Sequence, residues 1–118
     1  MEIIISSISD KGDIANERIG LKVLRDCQLK YFQLFKTNFT PKGFYHRADA
    51  SYWFTPQSVK TGDKIVVYTK EGTDSKKDNP NGTTTYFMYW SLSEPIFTDS
   101  NKGVVLAKIN DWELSRSK

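Results

Sequence analysis

Cys27 and His46 are the only cysteine and the only histidine in the chain. A thiol beside an imidazole is the minimum for nucleophilic catalysis, with the ring taking up the proton and a third group orienting it. Cys27 falls where an alternating run breaks, and His46 lies in GFYHRAD, residues 43–49, a segment expected to be an exposed loop. No local signature joins the two, so no catalytic residue is expected and the chain reads as non-enzymatic. The same two side chains would leave a tetrahedral zinc shell half empty, so no metal site is expected either.

Oxygen ligands are richer. Asp74, Asp78, Asn79 and Asn81 crowd into TDSKKDNPNG, residues 73–82. Lys76, Lys77 and Pro80 interrupt any calcium-loop spacing, and two cations beside the site repel the ion. A solvated loop built from turn-forming residues is the expectation. No glycine-rich phosphate cradle occurs, and no cofactor is expected.

Two segments carry residue types suited to binding. Tyr45, His46 and Arg47 place rings beside a cation, so stacking and charge can act together. Lys70, Lys76 and Lys77 sit in and before the polar stretch that follows a strand. Loops held by a rigid scaffold are where such a domain carries specificity.

The elements that must hold these loops are strands. Ile3 to Ser9 is isoleucine-rich and ends in the turn residues SDKGD. Ile19, Leu21 and Val23 alternate with Arg18, Gly20 and Lys22, the period-2 pattern of a strand with one buried face. Further strands are expected over 30–36, 51–54, 64–70, 83–90 and 103–109, with a loop-like stretch from Asn38 to Ala50. The strands at 64–70 and 83–90 read as one hairpin, with the polar stretch as its exposed tip. On the second of these, Thr84, Tyr86, Met88 and Trp90 share one face and Thr85, Phe87 and Tyr89 the other. Trp90 and Phe87 are both expected to fill the core. No window shows a helical period, so about seven short strands point to an all-β sandwich or barrel.

Composition agrees. Of the 118 residues only 38% are hydrophobic but 14% are aromatic, so the core must be built from few, large side chains. A chain of this length is read as one domain over 1–118. The net charge of +3 is spread evenly, with 8 basic and 6 acidic groups in residues 1–59 and 9 and 8 in the rest. No basic block marks a nucleic-acid stripe, although folding can assemble one. A single cysteine rules out an internal disulfide, and the acidic, short apolar start EIIISSIS does not read as a signal peptide. No stretch is long enough to span a membrane, and the protein is expected to be cytoplasmic.

The order of features resembles the lamin tail domain family, whose fold is an immunoglobulin-like β-sandwich. The resemblance rests on IIISSIS as the opening strand and on Asn16-Glu17-Arg18-Ile19 as an Asn-Glu pair leading the second. It continues through Tyr31-Phe32-Gln33-Leu34, then Phe54-Thr55-Pro56 before the Thr61-Gly62-Asp63 turn and Ile65-Val66-Val67-Tyr68, and finally Tyr89-Trp90, Pro95-Ile96-Phe97 and Val104-Val105-Leu106. It covers residues 3–110, with departures: Tyr31-Phe32 stands where Gly-Trp is usual, Phe97-Thr98 where Trp-Asn is frequent, and 38–50 is longer. The resemblance implies an immunoglobulin-like β-sandwich acting in protein–protein contacts, sometimes with DNA or membrane-associated partners.

The leading expectation is therefore a binding or interaction module for another protein, or one that self-associates through an edge strand. The alternative is a nucleic-acid-binding domain in which Lys70, Lys76, Lys77 and Arg47 approach phosphates while Tyr45 or His46 stacks on bases.

Overall fold

Alternation along the chain becomes layering in space. Ile19, Leu21 and Val23 are buried, as are Ile65 and Val67 further along, while Lys22, between Leu21 and Val23, and Lys64, before Ile65, are exposed. The computed structural model describes residues 1–117. Its strands are β1 (Ile3–Ser9), β2 (Arg18–Val23), β3 (Cys27–Gln28), β4 (Phe32–Thr40), β5 (Gly43–Phe44), β6 (Ala50–Trp53), β7 (Ser58–Val59), β8 (Lys64–Tyr68), β9 (Ser75–Asp78), β10 (Thr84–Tyr89) and β11 (Lys102–Lys108). A single 3-10 turn, Leu29–Tyr31, precedes β4. The protein is an all-β sandwich. One sheet has the order β1-β2-β8-β10-β9; the other has β4 at its centre, with β11 on one edge and β5 and β6 along the other. A two-stranded ribbon, β3-β7, flanks them.

All seven expected strands are present, but two expectations about their surroundings are corrected. β8 and β10 are not a hairpin: they run parallel, with Ile65 opposite Tyr86 and Val67 opposite Met88. The hairpin partner of β10 is β9, drawn from the polar stretch expected to be only a loop. Ser, Lys and Asp are poor strand formers. On a sheet edge, however, charge is tolerated and keeps the edge from pairing further. The chain leaves β8, passes the end of β10 and returns along the edge. That crossing needs Gly72, where a Cβ would lie 2.3 Å from the ring of Tyr89. The other correction concerns 38–50. β4 continues to Thr40 and turns tightly into β5, so part of the loop-like stretch is strand.

The aromatic residues divide between core and surface. Trp90 is buried at 8% exposure, and Tyr52 packs edge-on to Phe54 at 5.1 Å and tilted against Trp90 at 5.9 Å. Phe87 is not in the core. It faces away on the outer side of the five-stranded sheet and is half-buried there, because Met88 and Trp90 take the inner side of the same strand.

Two buried carboxylates fix turns and corners around the five-stranded sheet. Glu17, at 0% exposure, accepts from the main chain of Gly12, Ile96 and Phe97 and from the Thr69 hydroxyl. Asp63 accepts from Lys60 N and Thr84 N, fixing the turn into β8 against the start of β10. Both are satisfied as buried charged groups must be.

Candidate functional site

Thr37 sits mid-strand on β4 with its hydroxyl turned to the segment that follows β5. Its single O–H is shared between Tyr45 O at 2.7 Å and Arg47 O at 3.2 Å. The main chain of Tyr45 donates to Asn38 O, and that of Asp49 to Lys36 O. Residues 44–48 are therefore held against the outer face of the four-stranded sheet. Between them and the sheet lies a cleft of about 310 Å3, lined by Phe35, Phe44, Tyr45, His46, Val105 and Ala107, among others. Phe44 meets His46 edge-on at 4.7 Å and Phe39 at 6.2 Å. The small side chains of β11 leave the space that these rings surround.

The remaining sequence candidates are elsewhere. Lys70 lies over the ring of Tyr68, 5.0 Å from its centre, and Tyr68 stacks on Tyr89 at 5.3 Å and 12°. Lys77 is opposite Thr85 and shares its outer face, whereas Lys76, opposite Tyr86, belongs to the other side of the strand. Tyr45 and His46 are on the outer face of the four-stranded sheet, and Lys70 and Lys77 on that of the five-stranded sheet. The two groups lie on opposite sides of the sandwich, so the rings of one and the lysines of the other do not form a single surface. Arg47 is exposed beside Tyr45.

Cys27 and His46 are not brought together. Cys27 lines a separate cleft with Asp26, Ser58 and Lys60, between β3 and β7. Burial pushes its thiol above the ordinary value, which keeps it protonated rather than nucleophilic. The residues of the polar stretch are spent on its turn: Asn79 donates to the hydroxyls of Thr83 and Thr85, and Asn81 accepts from Thr83. Among the described residues no three His, Cys, Asp or Glu side chains cluster as metal ligands would. No described helix is long and apolar enough to cross a membrane.

Sequence reasoning passed over three features. Glu17 was visible only as half of an Asn-Glu pair. Lys22 was visible as a polar position of an alternating run and Lys64 as the first residue of a strand, but their meeting depends on β2 pairing with β8. The free edge of β11 likewise required the sheet order. The chain matches no protein-family model and no curated protein.

Proposed function

We propose that the protein is a non-enzymatic binding module that takes an extended segment of a partner protein along the free edge of β11. One observation carries this reading: among the sheet edges of the described residues, only that of β11 is both long and undefended. β9 is the charged SKKD, β6 has four residues, and β1 is broken by a register shift between Ile5 and Ser7. Charges, shortness and bulges are the usual ways of blocking an edge. β11 has seven residues, carries GVVLA between its terminal lysines, and is paired only with β4 among the described residues.

The cleft beside it supplies a reason for specificity. A strand added to β11 gains main-chain hydrogen bonds from the edge and directs alternate side chains to the outer face. There Val105 and Ala107 open toward the rings of Phe44 and Tyr45. A volume of about 310 Å3 suits one or two apolar side chains of the partner. The resemblance to lamin tail domains supports the same reading, since such domains act through protein contacts.

The test is a displayed library of short peptides. Binders are expected to alternate apolar residues, to slow hydrogen exchange at the Gly103–Ala107 amides that point away from β4, and to lose at least tenfold in affinity on Val105→Lys. Binders that leave those amides unprotected overturn the proposal. So does sedimentation showing that β11 is already occupied by a second copy of this chain.

A further inference from the structure

We propose that the outer face of the five-stranded sheet binds a single strand of nucleic acid. This is a second surface, on the opposite side of the sandwich from the β11 cleft, and it does not rest on the reading given for that cleft.

The pairing registers arrange this face in rows across the strands. One row is Lys22 on β2, Lys64 on β8, Thr85 on β10 and Lys77 on β9. The next is Gly20, Val66, Phe87 and Ser75, and the third is Arg18, Tyr68 and Tyr89. All three lysines of the first row are exposed. Strands are spaced at about 4.8 Å, so Lys22 and Lys77 stand about 14 Å apart with Lys64 between them.

This placement opposes folding. Lys22 and Lys64 are direct cross-strand partners, and like charges in that position destabilise a sheet. The ion pairs among the described residues are Arg18–Asp10 and Lys108–Glu2, so no carboxylate is directly paired with the lysine row. Glu71 and Asp74 belong to the connection after β8, at the tyrosine end of the face. An anion lying along the row would relieve the repulsion.

The second row says which anion. Phe87 is half-buried and turned outward, one pleat repeat of about 6.7 Å from the lysines. A phosphate backbone crossing the strands along Lys22, Lys64 and Lys77 would leave its bases over Phe87, where an unpaired base can stack. A duplex keeps its base faces hidden, so a single strand is the form that uses both rows.

The experiment is anisotropy of labelled twelve-residue oligothymidylate and oligouridylate between low and physiological salt. Three phosphate contacts predict a log–log salt slope of about −2. The combined variant Lys22→Gln, Lys64→Gln, Lys77→Gln should bind at least about tenfold more weakly at low salt and flatten that slope. Phe87→Ala should weaken binding about tenfold with the slope unchanged. Lys76→Gln, on the other side of β9, should change little. Thermal melts of each variant confirm that it is folded, and Val105→Lys should leave oligonucleotide binding intact. The proposal is overturned by no binding at low salt, by binding indifferent to the triple variant, by indifference to Phe87→Ala, or by binding to anionic vesicles in place of oligonucleotides.

Discussion

The main-chain N–H of Ile96 donates to Oε1 of Glu17 at 2.7 Å, inside the core. Phe97 N at 3.0 Å and Gly12 N at 2.8 Å reach the other oxygen, and the Thr69 hydroxyl reaches Oε1 at 2.6 Å. One side chain at the start of β2 thus holds the turn after β1, the end of β8 and the strandless corner before β11. That corner has no ladder to satisfy its amides, so the carboxylate takes the place of a strand.

Glu17→Gln should show this directly. An amide keeps the size but turns an NH2 group toward N–H donors, leaving two of them unpaired. The expected loss is about 2–4 kcal/mol, or a melting temperature lower by about 10–20 °C. Glu17→Ala should fail to fold at room temperature. Thermal unfolding followed by circular dichroism measures both, and a Glu17→Gln protein that melts with the wild type would remove the carboxylate from its role as anchor.

Lys64→Glu should stabilise the fold. It turns the cross-strand pair with Lys22 from repulsive to attractive, a gain of about 0.5–1 kcal/mol. Adding Lys22→Glu should cancel the gain by restoring like charges. Urea unfolding of the two variants and the wild type tests this. Equal midpoints would show that solvent already screens the pair.

Alkaline pH should weaken the protein through half-buried hydroxyls and a half-buried thiol. Burial, reinforced by the charge of Asp74, pushes Tyr52 well above its ordinary 10.0. Burial likewise pushes Tyr86 above 10.0 and Cys27 above 9.0. A raised value means the folded state holds the proton more tightly, so this stability is complete below the ordinary value and falls as pH rises past it. Tyr52→Phe should flatten the decline above pH 10, with Tyr86 keeping part of the slope, and Cys27→Ser should flatten its onset above pH 9. Urea midpoints from pH 8 to 11 give the comparison, and an unchanged slope in Tyr52→Phe would refute the assignment.

How far the sequence alone reaches is clear from particular residues. The alternation of Ile19, Leu21 and Val23 was enough to place β2 and to say which of its side chains are buried, and the turns at either end were enough to place β8. The same period put Phe87 and Trp90 on opposite faces, yet both were expected to fill the core, and only Trp90 does. That choice belongs to the second sheet, which covers the side bearing Met88 and Trp90. β9 was hidden because its residues suit solvent, and only its place at an edge makes a strand of them.

Of the candidate surfaces, Tyr45 and His46 were legible as a ring-rich segment, and Lys77 as part of a cationic one. Their separation onto opposite faces was not, nor was the row that Lys77 forms with Lys22 and Lys64. For the seven strands rich in apolar residues, strand identity and period are local properties, set by each residue and its neighbours along the chain, and the sequence by itself determined them. Parallel pairing of β8 with β10, the open edge of β11 and the lysine row were decided only by the tertiary structure. They depend on contacts between distant segments, and burial of the shared core selects one pairing from several that the local pattern allows.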